Sequence, residues 1–271
     1  MDLWRRKLPR QASIVWNRYL GENADFEGIP LLPLFLSCRA AVRAKTSATA
    51  ARLPANAGRR PDLHATAREY LAMAEQLLHP SPPCLVAVGG FSGSGKSTLA
   101  VGLAPSVGSV PGAVVLRSDE TRKRLCGVPV LQRLGLESYS PQVSDRVYAS
   151  LAERAAHVIG SGHSVIVDAV FARPADRRAI EQAAKGAAVP FIGLWLDAPE
   201  PVLIERTARR RNDPPDADAA VVRMQRSQDT GDLSWQRINA SVSLDSVMCA
   251  AMSAVGERLG DLAATRLVCQ R

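Results

Sequence analysis

Two rhythms of apolar and polar positions divide the chain. Leu3, Trp4, Leu8, Ile14, Val15 and Leu20 recur at helical intervals with Arg and Lys between them, which predicts a helix over 3–20 ended by Gly21 and Asn23. A second helix is expected over 31–52, apolar at first and then rich in Ala, Arg and Lys. Residues 53–62, with Pro54, Gly58 and Pro61, read as a linker. Leu63, Tyr70, Leu71, Ala74 and Leu77 predict a third helix over 63–78, stopped by His79-Pro80-Ser81-Pro82-Pro83. From residue 84 the rhythm changes. Short apolar runs at 85–88, 113–116, 164–167 and 191–196, with a fifth strand expected at 235–240, alternate with helical stretches, among them 140–159, opened by Pro141, and 244–259. That alternation predicts an α/β fold: a five-stranded parallel sheet flanked by helices, preceded by a helical segment.

Composition refines this picture only in places. A hydrophobic content of 46% over 271 residues is enough for a sizeable core. The five cysteines (Cys38, Cys84, Cys126, Cys249, Cys269) are scattered and form no C-x-x-C, so neither a disulfide framework nor a zinc site is suggested, and a reducing cytoplasm is the expected setting. The basic start Arg5-Arg6-Lys7 is not followed by an apolar run, so no secretory leader is expected. The most apolar stretch, 29–38, holds Pro30 and Pro33 and is too short for a bilayer, which takes about 20 residues, so no membrane role is expected. The net charge of +8 invites nucleic acid as a partner. Residues 1–83, however, carry 12 basic and 7 acidic side chains, against 22 and 19 in residues 84–271, so most of the excess lies outside the α/β unit. Nucleic acid therefore stays open but disfavoured.

Between the first apolar run and the next helical stretch stands Gly90-Phe91-Ser92-Gly93-Ser94-Gly95-Lys96-Ser97-Thr98. It fits G-x-x-x-x-G-K-[ST], and strand, glycine loop and helix are the setting this phosphate-binding loop requires. Glycines allow the backbone to approach a phosphate closely, and successive N–H groups at a helix start form a nest for anionic oxygens. In such a loop Lys96 reaches the β- and γ-phosphates, Ser97 offers its hydroxyl to Mg²⁺ and Thr98 can bond the α-phosphate. ATP and Mg²⁺ are the expected cofactors.

Ligands in open α/β sheets sit at the carboxyl ends of strands. Asp119, Asp168 and Asp197 fall there. Asp119 suits a general base for an acceptor hydroxyl or a helix cap. Arg122, three residues on, suits an acceptor group or a transferred phosphate. Asp168 ends the run Val165-Ile166-Val167 and suits a metal ligand or a strand-end loop contact. A turn or cap is expected of Asp197. Arg206, Arg209 and Arg210 cluster on one helix face and suit stabilisation of a transferring phosphoryl group or a solvated basic face, with Asn212-Asp213-Pro214-Pro215-Asp216 as the tip of a lid. Arg173, Arg177 and Arg178 can meet an anionic acceptor or face solvent. Surface or helix-end roles are expected of His64, His79, His157 and His163, and core roles of Trp195 and Trp235.

Two resemblances add to this reading. Asn17-Arg18-Tyr19-Leu20, Asp25-Phe26-Glu27-Gly28 and the stretch from Leu31 to Ala41 resemble the last helices of an aminoglycoside-phosphotransferase-like domain, a likeness of about 50 residues that lacks an ATP lobe. It implies a packing role for residues 1–52, with 53–83 as linker and connecting helix. Residues 84–271 resemble the P-loop kinase-like domains often labelled AAA family ATPases, related to gluconate kinase, polynucleotide 5′-kinase and zeta-toxin-type kinases. The pieces that match are the P-loop, Ser118-Asp119-x-x-Arg122, Val167-Asp168-Ala169-Val170-Phe171, Arg206-x-x-x-Arg210 with Asp213, Asp216 and Ala217, and Trp235-x-x-Ile238-Asn239-Ala240-Ser241. The resemblance implies that Asp119 is the acceptor-side base, that Arg206 and Arg210 are lid arginines and that Ala240-Ser241 lies near the adenine. Pro214-Pro215 departs from the usual lid pattern. The expected activity is transfer of the γ-phosphate of ATP to a hydroxyl of a small molecule. A polynucleotide 5′-hydroxyl kinase and a nucleotide-binding switch without an acceptor are the alternatives.

Overall fold

The computed structural model describes residues 1–129, 132, 134–209 and 219–260. The chain begins with α1 (Asp2–Arg5) and α2 (Pro9–Asn23). The single helix expected over 3–20 is split because Pro9, which lacks an N–H, starts a new helix at its first position, with Lys7 at φ 57° in the break. A helix of 20 residues, α3 (Leu32–Ala51), is followed by α4 (Arg60–Leu77). Residues expected as a linker form a tight corner instead: a 3₁₀ helix, Pro54–Arg59, joins α3 to α4. There the Asn56 amide donates to Ala50 O at 2.9 Å and Arg60 Nε donates to Ala51 O at 3.1 Å, satisfying carbonyls that the end of α3 leaves over. α3 and α4 pack on small residues, with Ala40, Ala44 and Ala74 around Tyr70 and Leu77, and Ser37 Oγ donates to Ala74 O.

The α/β unit then runs β1 (Leu85–Gly90), α5 (Lys96–Leu103), β2 (Val114–Arg117), α6 (Ser118–Leu125), α7 (Pro141–Gly160), β3 (Val165–Asp168), α8 (Pro174–Gly186), β4 (Phe191–Asp197), α9 (Glu200–Ala208), α10 (Ala219–Arg226), β5 (Gln236–Asn239) and α11 (Leu244–Leu259). Among the described residues the five strands form one parallel sheet in the order β2-β3-β1-β4-β5. β1 and β3 are buried along their whole length, as near-continuous apolar runs covered on both faces must be. The connection through α5 moves one way along the sheet and that through α8 the other. Right-handed crossovers therefore put these helices on opposite faces, and the crevice between them opens at the carboxyl ends of β1 and β3.

The amino-terminal helices are fastened to this sheet. Leu20 and Ile29 are buried in the same core as the strands, and Trp16 and Phe26 pack against it. β2 is an edge strand, and α2 covers its outer side. The Asn17 side chain donates to Ala113 O at 3.1 Å and accepts the Val115 N–H at 2.7 Å, as a neighbouring strand would. Arg124 on α6 donates to Gly21 O at 2.8 Å. His163, expected at the surface or a helix end, is buried beside this junction, where its Nε2 bonds Gly112 O at 2.9 Å and burial lowers its pKa. Among the described residues no helix is long and apolar enough to cross a membrane.

Candidate active site

The crevice at the ends of β1 and β3 holds the glycine loop. Gly90 sits at φ +133° and Gly93 at φ +87°, and both are packed against neighbouring backbone. A Cβ on Gly90 would stand 2.5 Å from Leu196 O, and one on Gly93 would run into Leu203 O, so the loop closes only with glycine at these two positions. Within it Ser94 N donates to Phe91 O at 3.1 Å, and Lys96 Nζ donates to the same carbonyl at 3.1 Å. Gly90 N donates to Val170 O, which ties the loop to the segment after β3.

A cleft of about 270 Å³ opens in front of the loop, with Ser92, Lys96 and Ser97 on one side and Ser118, Asp119 and Asp168 on the other. Asp119 lies in the first turn of α6, just past β2. Burial raises its pKa, and the nearby negative charge of Asp168 raises it further, while Arg117, Lys96 and Arg122 pull the other way. Asp168 is buried at the end of β3, with Arg117 Nε 3.4 Å from its Oδ2, and Arg117 also bonds Glu120 at 3.1 Å. The structure thus places Lys96, Ser97, Asp119 and Asp168 in one cleft. No group of three or more His, Cys, Asp or Glu that could hold a metal occurs among the described residues.

Arg122 lines this cleft but is engaged. It is buried, its Nη1 donates to Ser138 O at 2.7 Å and Ser144 Oγ at 3.3 Å, and Tyr139 covers it at 4.8 Å. Its Nε is buried without a partner. The arginines after Asp168 divide their duties. Arg173 reaches the cleft wall and grips Asp176 with two bonds of 2.8 Å and Asp145 with one of 2.7 Å. Arg177, expected to meet an anion or solvent, is buried and donates to the carbonyls of Phe171, Ala172, Thr230 and Asp232. Phe171 sits at φ 52°, unusual for a bulky residue, and its N–H is held by the Tyr148 hydroxyl at 3.1 Å. Burial, then Asp176, pushes the Tyr148 pKa well above its ordinary value, so the phenol stays protonated.

A second cavity lies on the other side of the glycine loop, lined by Gly93, Ser94, Gly95 and Thr98 together with Arg206, Ala240, Val242, Leu244 and Val247. Arg206 is found here rather than in the cleft with Asp119: its Nη1 donates to Ala240 O at 2.7 Å. Arg209 points away to solvent, paired with Glu205 at 2.7 Å. Arg210 and the expected lid tip lie outside the described residues. Asp197 anchors a strand end, since its carbonyl accepts the Ala240 N–H at 2.7 Å. Trp195 and Trp235 are buried core residues.

Helix α10 supplies what residue types alone did not reveal. Val221, Met224, Gln225 and Gln228 roof the cleft, and Gln225 Oε1 accepts the Ser92 N–H at 2.8 Å. Polar glutamines in a short amphipathic stretch carry no signal of their own, so only the placement of α10 marks them.

Residues 85–229 match a family model described as an AAA domain. An uncharacterized protein of Mycobacterium tuberculosis (strain ATCC 25618 / H37Rv) is 32% identical over 223 residues, covering 79% of this chain and 43% of that protein. The chain thus spans less than half the length of this relative. A sugar kinase of Janibacter sp. HTCC2649, solved without ligand, is 22% identical at a TM-score of 0.47, covering 64% of this chain and 95% of the other. A gluconokinase of Sinorhizobium meliloti 1021 is 21% identical at a TM-score of 0.47, covering 68% and 97%.

Proposed function

We propose that this chain, which belongs to the AAA domain family, is an ATP-dependent phosphotransferase acting on a hydroxyl of a small molecule. One observation carries the reading: a single cleft of about 270 Å³ holds Lys96 and Ser97 of the glycine loop opposite Asp119 and Asp168. A carboxylate whose pKa is raised is a better proton acceptor, so Asp119 takes the acceptor hydroxyl's proton as the hydroxyl oxygen bonds to the γ-phosphorus, and the bond from that phosphorus to the β,γ-bridging oxygen breaks to release ADP. Lys96 carries charge to the terminal phosphate, and the loop N–H groups orient it. The Ser97 hydroxyl and the Asp168 carboxylate are hard oxygen donors, and two such donors fit Mg²⁺, which keeps several waters and phosphate oxygens of its own. When bound, Mg²⁺ neutralises charge on the phosphate oxygens. Asp168 is oriented for this by Arg117. The second cavity suits the nucleobase, with Arg206 and Ala240 at its wall. Arg122 acts as a strut for the acceptor wall through Ser138 and Ser144. A transition-state role for Arg210 stays part of the proposal.

The proposed organisation keeps residues 84–271 as the catalytic unit and 53–83 as its connecting helix. Residues 1–52 are read as the end of an aminoglycoside-phosphotransferase-like domain that now buttresses β2. The proposed setting is the cytoplasm, where ATP and Mg²⁺ are at hand.

The test is Mg²⁺-dependent ADP release with no acceptor, with pooled small hydroxyl compounds, and with 5′-hydroxyl oligonucleotides. Small compounds are expected to stimulate the wild type, and Asp119→Asn to lose that stimulation by roughly 10²- to 10⁴-fold while still binding ATP. Lys96→Ala is the blank. Unchanged stimulation in Asp119→Asn refutes the base assignment. Stimulation by oligonucleotides alone moves the acceptor to nucleic acid, and ATP binding without any stimulation favours a switch.

A further inference from the structure

Helix α10 is seated on the glycine loop. Val222 is fully buried beneath it, and Arg226 stands 5.8 Å above the Phe91 ring while donating to Ala198 O at 3.2 Å. This seating brings Gln225 Oε1 to the Ser92 N–H at 2.8 Å. The place of that N–H along the loop decides what the contact means. Gly93, Ser94, Gly95 and Thr98 face the cavity beside Ala240, whereas Ser92, Lys96 and Ser97 face the cleft with Asp119. A polyphosphate whose nucleoside sits in the cavity beside Ala240 therefore threads the loop into the Asp119 cleft and ends at Ser92 and Lys96. The Gln225 carbonyl oxygen occupies an acceptor position that an oxygen of the terminal phosphate would take, without its charge.

We infer that Gln225 competes with the terminal phosphate for the Ser92 N–H and so sets the protein's preference between nucleoside triphosphate and diphosphate. The inference rests on the nucleotide reading above. A diphosphate leaves the Ser92 N–H to Gln225. A triphosphate has to displace it, and its apparent affinity falls by the fraction of molecules in which the N–H is already taken. One neutral hydrogen bond sets the size, so Gln225→Ala tightens triphosphate binding roughly 2- to 10-fold and leaves diphosphate binding within about twofold. Gln225→Glu moves the other way. Its carboxylate accepts the same N–H more strongly and repels an incoming phosphate, so triphosphate binding weakens more than diphosphate binding.

The experiment is calorimetric titration of the full chain with a non-hydrolysable ATP analogue and with ADP, in Mg²⁺, for the wild type and both variants. Melting temperatures without nucleotide, expected within about 2 °C of one another, check the fold. The expected result is a Kd ratio shifted toward the triphosphate in Gln225→Ala and away from it in Gln225→Glu. Equal shifts for both nucleotides, or weaker triphosphate binding in Gln225→Ala, overturn the competition. A wild type that binds neither nucleotide overturns the nucleotide reading and this inference with it.

Discussion

Replacing Asn17 tests whether the amino-terminal helices belong to the working structure. Its amide bonds two backbone groups on the outer side of β2, Ala113 O at 3.1 Å and Val115 N–H at 2.7 Å. Ala113 is fully buried and Val115 partly so. Asn17→Leu keeps the branched shape and orphans both groups. At about 1–3 kcal/mol for each unsatisfied buried group, and less for the wetter one, the loss is roughly 2–4 kcal/mol. For a chain of this size that lowers Tm by roughly 5–15 °C. Asn17→Asp is the sharper probe. Its carboxylate still accepts from Val115, but its second oxygen faces the Ala113 carbonyl, so the variant is destabilised near pH 7. Protonation restores a donor, so the deficit relative to wild type shrinks near pH 4. The assay is urea unfolding followed by circular dichroism at both pH values. Both variants within about 0.5 kcal/mol of wild type would refute the edge-capping argument. So would an Asn17→Asp deficit that ignores pH.

Asp119 makes stability depend on pH. Its pKa is raised in the folded chain, so the native state holds the proton longer than the unfolded one, and its stabilising contribution is present at low pH and lost as pH rises through the folded value. Asp119→Asn is therefore expected to melt above wild type at pH 8 and level with it at low pH, and a difference independent of pH would contradict the assigned cause. Arg177→Met removes bonds to four carbonyls and is expected to cost roughly 3–5 kcal/mol in urea unfolding. Because Ala172 lines the cleft, turnover under conditions where the variant is still folded should also drop.

Features with a local cause were legible from the residues alone. The five expected strands are all present; β1 and β3 were the plainest because burial on both faces leaves no room for polar positions, and the last helix runs over the expected 244–259. The glycine loop was legible because its backbone torsions admit few other residues. Asp119 and Asp168 could be placed because the carboxyl ends of parallel strands converge. What escaped depends on partners distant in sequence. Arg177 and Arg122 look like anion-binding arginines, yet their guanidinium groups serve backbone carbonyls, which have no residue signature. His163 is buried because α2 lies over the sheet edge, a docking that nothing within 163's own neighbourhood announces. The corner at Pro54–Arg59 has the composition of a linker, and only the pairing of α3 with α4 makes it tight. Arg206 sits one cavity away from its expected place because Ala240 O, far along the chain, captures it.

Phe91 stands edge-on to Trp195, with ring centres 5.4 Å apart, and the indole is buried. The same residue's carbonyl holds Lys96. Any ligand that draws the lysine forward disturbs the backbone bearing that phenyl ring, and with it the surroundings of one indole. The molecule thus contains its own optical label at the mouth of the loop. Ultraviolet-excited emission can follow occupancy in real time without a dye, and Trp195→Phe identifies the share of the signal that comes from this position. Trp4 and Trp16, in the amino-terminal helices, provide a separate channel for events where those helices meet the sheet.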